Sequence, residues 1–257
     1  MVMAWRSTMR LPRAPSRPSA KAVGASCSGT RSSAAMPDSA ATRSSGAMVD
    51  CCIWRAPAAA AARGGTFEPA ARWLPWALRS QFSARTDLLA VRLALEQIAL
   101  DEQPRGVNLA TDSLGDSGFL VGLRSLIAAH GQAARALWLE VGERAAIEQL
   151  PVLRDLGQQL RPLGVQLGLE HAGERLARIE RLYEAGLDYV KLDGALVSGV
   201  ALDGARADFV RGLVWTLHGL EIRVLAEGVV DAADARSLWA CGLDGITGPW
   251  ASAQPLR

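Results

Sequence analysis

The sequence predicts an α/β fold built on parallel strands, and three observations carry that prediction. Six short apolar segments recur along the chain, and a stretch with helical spacing follows each of the first five. Strands that alternate with helices in this way are typical of parallel α/β proteins. The apolar segments also end in polar or charged residues, and the carboxyl ends of parallel barrel strands meet on one rim. The sequence therefore predicts a barrel with a ligand site on that rim.

The six predicted strands are short, and their residues are 106–110, 136–143, 165–173, 189–194, 223–230 and 244–250. Polar groups at or near the strand ends form one set, which comprises Asn108, Glu140, Glu170, His171, Lys191, Glu227 and Thr247. Polar residues at the ends of successive parallel strands are expected at a ligand site rather than in the packing between layers.

The predicted helices have recognisable ends. Their expected spans are 88–100, about 144–162, 174–185 and 231–241. Thr86 or Asp87 is expected to cap the first of these helices, and Gly186 to end the third. Leu238, Trp239 and Trp215 are expected in the core, on helix faces that pack against the barrel.

The charge is unevenly distributed along the chain. Residues 1–62 carry a net charge of +6 and are rich in Ala, Ser, Arg and Pro, whereas the rest of the chain carries −4. A segment of this composition buries too little apolar surface to fold, so we expect 1–62 to be a disordered tail. A transit peptide, a mis-assigned start and a frameshift are the alternatives left open. Residues 63–257 are expected to form the globular domain.

Composition also limits the class of protein. The four cysteines form no CxxC pair and the three histidines no cluster, so zinc is not predicted and a reducing cytoplasm is expected. No apolar run approaches the about 20 residues that a membrane span needs. The basic N-terminal segment lacks interleaved aromatic residues, so nucleic acid is not an expected partner.

Five stretches of the sequence together resemble the EAL domain, the bacterial phosphodiesterase and receptor module for cyclic di-GMP. They read VNLA, LEVGE, LGLEHAG, VKLD and AEGVVDAADARSLWACGLDGITGP. The resemblance covers roughly residues 64–255 and implies a TIM-like (βα)8 barrel of the EAL type. The EAL tripeptide and its strand do not occur in the sequence, so the first strand is expected to be missing or replaced.

The resemblance implies a metal-dependent site. EAL enzymes hydrolyse a phosphodiester with two divalent cations, usually Mg²⁺ or Mn²⁺, held by oxygen ligands. Matched position by position, the metal-ligand positions hold Asn108, Glu140 and Glu170, and the catalytic positions hold Lys191 and Glu227. The ligand-binding positions hold Asn108, Lys191, Glu227 and Thr247.

Several positions depart from the family pattern. The DDFG-like segment reads Glu-His-Ala-Gly from Glu170, so that His171 replaces the second Asp. Val230 replaces the second Glu of AEGVE, and Thr247 replaces the Gln before the final Gly. Two dications about 4 Å apart need several anionic oxygens to hold them together. We therefore expect a degenerate domain with weak or absent Mg²⁺ or Mn²⁺ binding and no phosphodiesterase activity.

Three functional hypotheses follow. The first is a cytoplasmic signalling protein that binds cyclic di-GMP or a protein partner without hydrolysing the nucleotide. The second is a metal-dependent phosphodiesterase that releases linear pGpG, and the third is a non-functional truncated remnant. The sequence leaves open the upstream sensor, the downstream partner and a homodimer. Lys191 is expected to face the barrel interior, Asp193 to start a turn, and His171 to be a structural residue rather than a ligand.

Overall fold

The protein is described by a computed structural model over residues 83–173 and 183–253. The predictions for residues 1–62, and most of the helix expected over 174–185, lie outside the described residues. The prediction of a missing or replaced first strand also concerns residues before 83, so it stays a prediction.

The described residues form six strands and nine α-helices. The strands are β1 (Arg105–Leu109), β2 (Leu137–Gly142), β3 (Gln166–Ala172), β4 (Tyr189–Leu192), β5 (Arg223–Ala226) and β6 (Gly245–Ile246). The helices are α1 (Ser83–Asp101), α2 (Thr111–Leu114), α3 (Ser117–Ala129), α4 (Glu143–Glu148), α5 (Leu150–Leu160), α6 (Gly194–Val197), α7 (Gly204–Gly219), α8 (Ala232–Ala240) and α9 (Pro249–Ser252). Short 3₁₀ turns cover Gly131–Ala136 and Arg161–Leu163. None of the described helices combines the length and the apolar character needed to cross a membrane.

The six described strands lie side by side in the order of the sequence, and every neighbouring pair is parallel. An open doubly wound sheet reverses its strand order at a switch point, whereas a barrel adds each strand beside the one before it. The sequential order is therefore that of an α/β barrel, and it confirms the predicted fold class.

The two faces of the sheet carry different residues, because successive side chains of a strand point to opposite faces. In β2, Leu137, Leu139 and Val141 belong to the main hydrophobic core, together with the buried faces of the helices. Trp138 and Glu140 alternate with them on the inner face. The same alternation places Lys191 inside β4, fully buried, as the sequence predicts.

A small apolar cluster lies on the inner face below the polar rim. It consists of Trp138, Tyr189 and Leu225, each two residues before a charged residue of the rim. The ring centroids of Trp138 and Tyr189 are 4.6 Å apart, and the Arg223 guanidinium lies 5.0 Å from the centroid of the Trp138 ring. Gly168 makes room for this arrangement, because a Cβ there would overlap the Tyr189 ring. The cluster forms an apolar floor for the site.

The strand predictions are too long at β5 and β6. β5 ends at Ala226 rather than at residue 230, because the chain turns at Gly228, whose φ of 70° is left-handed. β6 spans only Gly245–Ile246, and α9 begins three residues later. Glu227 and Thr247 therefore lie just beyond their strands, on the loops that follow them.

Three helix predictions are also corrected. The helix expected over about 144–162 is two helices, α4 and α5, that meet at Gln149. Asp87 lies inside α1 and does not cap a helix; its Oδ2 accepts hydrogen bonds from Ala110 N (2.8 Å) and Ser113 Oγ (2.7 Å). Trp215 is 80% exposed on α7 and not in the core, whereas Leu238 is fully buried as expected.

Candidate functional site

Glu140 and Lys191 form a buried ion pair at the centre of the rim. Both side chains are fully buried, and Lys191 Nζ contacts Glu140 Oε1. The same oxygen accepts a hydrogen bond of 2.8 Å from the Tyr189 hydroxyl. The strand register brings these groups together, because β2, β3 and β4 are consecutive parallel neighbours. The negative charge of the buried Glu140 carboxylate is thus balanced by the Lys191 ammonium and the Tyr189 hydroxyl, as the burial of a charge requires.

Asn108 and Glu170 make a second contact, on the neighbouring strands. Asn108 lies opposite Glu140 in the register of β1 and β2, and its Nδ2 donates a hydrogen bond of 2.6 Å to Glu170 Oε2. Within the described part of the chain, the other amide atom, Asn108 Oδ1, and Glu140 Oε2 are buried and make no hydrogen bond. Residues 83–173 and 183–253 therefore leave these two oxygens able to accept a donor or to coordinate a cation.

His171 lies among three carboxylates at the end of β3. Its Nδ1 contacts Glu227 Oε1 and lies 3.2 Å from Asp193 Oδ2, while Nε2 lies 3.9 Å from Glu170 Oε2. The side chain is 49% exposed, and the expectation that His171 is a structural residue rather than a ligand stays a prediction. Its φ of 52° is left-handed, a conformation that histidine adopts more readily than most residues.

Glu227 follows β5 directly and is 8% exposed. Burial raises the pKa of its carboxyl to about 7, and the negative charges of Glu170 and Asp193 add to this shift. The positive charges of His171 and Lys191 oppose it. The side chain therefore carries a partial negative charge near neutral pH, and it can take up a proton from solvent or lose one to it.

An open cavity of about 460 Å³ lies beside His171 on the same rim; it is lined by Glu143, His171, Gly173, Asp193, Ala195 and Leu196. Glu143 begins α4, and its Oε1 accepts a hydrogen bond of 2.8 Å from Gly173 N. Asp193 starts the turn after β4, as expected, by accepting a hydrogen bond from Ala195 N through Oδ1. These two carboxylates fix the loops that border the cavity.

Thr247 lies at the end of the sheet, after β6. It is buried, and its Oγ1 donates a hydrogen bond of 3.2 Å to Ala226 O. Its carbonyl oxygen accepts a hydrogen bond from Val229 N. These bonds tie the loops after β5 and β6 together, and the binding role expected for Thr247 stays a prediction.

A comparison with protein families places the chain as a whole. The family model described as the EAL domain matches residues 58–254. The chain belongs to the EAL domain family. It is 27% identical over 132 residues to an uncharacterized protein of Mycobacterium tuberculosis, a match that covers 51% of this chain and 21% of that protein. It is also 27% identical over 123 residues to the cyclic di-GMP phosphodiesterase NbdA of Pseudomonas aeruginosa, covering 48% of this chain and 16% of NbdA.

The matched part of this EAL domain spans about a fifth or less of the length of these curated relatives. Among solved structures, the FimX EAL domain from Pseudomonas aeruginosa bound to cyclic di-GMP matches with a TM-score of 0.66. The sequence identity is 23%, over 72% of this chain and 76% of that chain. A likeness at this identity confirms the fold.

The metal pair that the EAL family implies does not fit the described residues of this domain. His171 replaces the second Asp of the family pattern, so the described rim has one carboxylate fewer to hold two dications together. His171 offers nitrogen where hard cations prefer oxygen. Glu170, His171 and Glu227 do converge, with one ligand atom from each within 4.8 Å of the others.

Three contacts of this EAL domain could not be read from the sequence. The Tyr189 bond to Glu140 depends on strand register, and Tyr189 looks like an ordinary strand aromatic in the sequence. The bond from Gly173 to Glu143 joins two loops thirty residues apart. The contacts of His171 depend on its left-handed backbone conformation, which the sequence does not predict. The sequence does place a polar residue directly after Glu170, and this predicts that His171 lies on the rim.

Proposed function

We propose that this EAL domain binds cyclic di-GMP, or a protein partner, without hydrolysing the nucleotide. The observation that carries the proposal is His171, which lies among the carboxylates of Glu170, Asp193 and Glu227 at a position where the family pattern has a metal-ligating Asp. The described rim therefore offers one carboxylate fewer to hold a pair of cations. Hydrolysis needs that pair to activate water and to stabilise the leaving oxygen.

The cavity beside His171 supports a binding role. It opens on the rim where barrel proteins bind their ligands, and Glu143 and Asp193 hold its borders in place. A border that is already ordered lowers the entropy lost on binding. The relationship to cyclic di-GMP phosphodiesterases and the fold of the FimX EAL domain make cyclic di-GMP the first ligand to test.

Phosphodiesterase activity is the second candidate, and one observation favours it. Asn108, Glu140, Glu170 and Glu227 are all present on one rim, so several oxygen ligands remain. Release of linear pGpG would establish this function and would overturn the first proposal.

The test is calorimetric titration of cyclic di-GMP into the full 257-residue chain, in Mg²⁺ and again in EDTA, with chromatography of the nucleotide afterwards. We expect saturable binding and unchanged cyclic di-GMP. Glu227→Ala should weaken the binding, whereas Glu221→Ala, an exposed glutamate before β5, should leave it unchanged. Absence of binding in a folded sample would favour the protein-partner alternative, and an unfolded product would favour a non-functional remnant.

A further inference from the structure

Helix α1 carries apolar residues on two opposite sides. One side faces the barrel, and its buried apolar residues are Ala84, Ala90, Val91, Ala94, Leu95 and Ile98. The other side exposes three leucines, Leu89, Leu93 and Leu100, and the last of these is 77% exposed. A helix at the surface of a single domain needs only one apolar side, so the second apolar side is typical of a helix that packs against another protein surface.

The exposed leucines belong to a stripe that we call the outer seam. The outer seam consists of Leu89, Leu93, Glu96 and Leu100. Successive members are four, three and four residues apart, which is the alternation of a coiled-coil heptad. At about 100° per residue, the four side chains fall within about 60° of one another, nearly opposite the buried side. A single polar residue in such a seam, here Glu96, restricts the register and orientation of the partner helix.

Arg92 lies beside the outer seam and carries the charge that Glu96 needs. Both residues are exposed, and they lie on the same flank of the helix. Neither takes part in an ion pair with any residue in 83–173 or 183–253. A partner helix that offers one negative and one positive charge at this spacing would satisfy both, and α1 itself is such a helix.

An antiparallel arrangement of two copies of α1 brings complementary residues together. A twofold axis midway between Leu89 and Leu100 places each of these leucines opposite the other in the second copy. Leu93 then lies opposite Glu96, and Arg92 lies about 1.5 Å along the helix from the position opposite Glu96. Because a twofold interface uses the same surface twice, the leucine contact and the Arg92–Glu96 contact each occur twice.

The helix next to α1 leaves room for such a partner. Gly122 brings α3 close to α1, since a Cβ there would lie 3.2 Å from Leu88 Cδ1. The exposed positions of α3 on its outer side are uncharged, and they include Gly118, Val121 and Ser125. A second helix therefore meets small or apolar side chains beside α1, and contiguous exposed apolar surface of this kind marks interaction sites.

We propose that the outer seam of α1 is the contact surface between two copies of this chain, packed antiparallel. The Arg92–Glu96 contacts lie near the twofold axis, and the leucine contacts lie at both ends. A second copy fits better than an unrelated helix because one sequence supplies both members of every contact. The surface belongs to the outer helix layer and not to the rim, so this inference does not depend on nucleotide binding.

The first test is sedimentation velocity of the full 257-residue chain over a range of concentrations, without nucleotide. We expect a dimer whose fraction rises with concentration. A chain that stays monomeric up to about 100 µM would overturn the proposal, because a specific interface with micromolar affinity is largely occupied at that concentration.

Charge reversal tests both the partner and its orientation. Arg92→Glu places two glutamates together at each contact, and Glu96→Arg places two arginines together. Each variant alone should associate at least about tenfold more weakly than the unaltered chain, because like charges that face each other across an interface are unfavourable. An equimolar mixture of the two variants should dimerise again, because every contact then joins opposite charges. Pairing within one helix cannot produce this recovery, since mixing does not alter the charges of either chain.

Asp208→Arg and Arg211→Glu are the matched controls, because these exposed residues pair with each other on α7. Neither control should change the association, and circular dichroism checks that all variants are folded. Unchanged association in the folded Arg92 and Glu96 variants would overturn the proposal, and so would a mixture that associates no better than either variant alone. Loss of association in the α7 controls alone would also overturn it and would assign the contact to α7, where Trp215 is exposed.

Discussion

Lys191 and Glu227 are both buried on the rim, but their surroundings act on them in opposite ways. Lys191 contacts Glu140 directly, so its positive charge is compensated inside the barrel. Burial raises the pKa of Glu227 to about 7, although its carboxylate contacts His171 Nδ1, and the negative charges of Glu170 and Asp193 add to this shift. A buried lysine paired with a carboxylate and a buried carboxyl with a raised pKa therefore lie on one rim.

The pair formed by Lys191 predicts a large loss of stability when its charge is removed. Lys191→Met leaves the Glu140 carboxylate buried without its counter-charge, which should lower the free energy of unfolding by about 3–5 kcal/mol. Urea unfolding monitored by circular dichroism measures this change. Arg211→Met, which removes an exposed pair with Asp208, should have little effect. Similar losses in both variants would contradict the assignment of Glu140 and Lys191 as a buried pair.

The shift at Glu227 predicts a pH dependence with a defined sign. A carboxyl whose folded pKa, about 7, exceeds the ordinary 4.5 stabilises the fold below pH 4.5, and this contribution is lost as the pH rises towards 7. Glu227→Gln stays neutral, so its stability relative to the unaltered chain should increase between pH 4.5 and 7. Urea unfolding in EDTA across this range measures the difference. A difference that does not change with pH would show that Glu227 titrates normally.

At the scale of elements, contact between β3 and β4 sets the position of the ion pair. The Tyr189 ring occupies the space that Gly168 leaves on the neighbouring strand, and the Tyr189 hydroxyl reaches Glu140. A glycine in β3 thus helps to position a carboxylate on the neighbouring strand β2. The apolar cluster below the rim therefore positions a charged group of the site in addition to filling space.

Gly168→Ala tests this relation between the strands. The added Cβ overlaps the Tyr189 ring, so we expect a loss of about 1–3 kcal/mol, typical of overpacked cores. Gly212→Ala is a matched control, because Gly212 lies in α7 with open space around it, and alanine there should stabilise the helix by about 0.5–1 kcal/mol. Thermal unfolding of both variants gives the comparison. If both substitutions stabilised the fold, β3 and the Tyr189 ring would accommodate the added methyl group without a loss of stability, which would contradict the prediction.

At the scale of the whole molecule, catalysis depends on ligands from several strands at once. We expect the triple variant Glu170→Asp, His171→Asp and Val230→Glu to remain unable to hydrolyse cyclic di-GMP. These substitutions give the end of β3 and the loop after β5 the acidic residues of the family pattern. The EAL tripeptide, which supplies another ligand in the family, still does not occur in the sequence. Chromatography for linear pGpG, with an active phosphodiesterase of the family in parallel, measures the outcome. Formation of pGpG would refute the expectation.

The sequence predicts the barrel and much of the rim because both depend on local patterns. Alternation of apolar and polar residues is enough to place Lys191 inside β4 and to place Glu227 at the end of β5. The break at Gln149 and the exposure of Trp215 depend on how the helices pack, which periodicity alone does not record. The surroundings of His171 depend on strand register and on a left-handed backbone, and neither has a local signature.

The backbone of His171 has a genetic consequence. Aspartate and histidine both tolerate the left-handed conformation found at this position better than most residues do. Their codons differ by one base, GAC against CAC, so a single nucleotide change exchanges the carboxylate for the imidazole without refolding the loop. The charge at this position of the rim therefore changes in one mutational step, and a library of single-base variants at codon 171 would contain both residues.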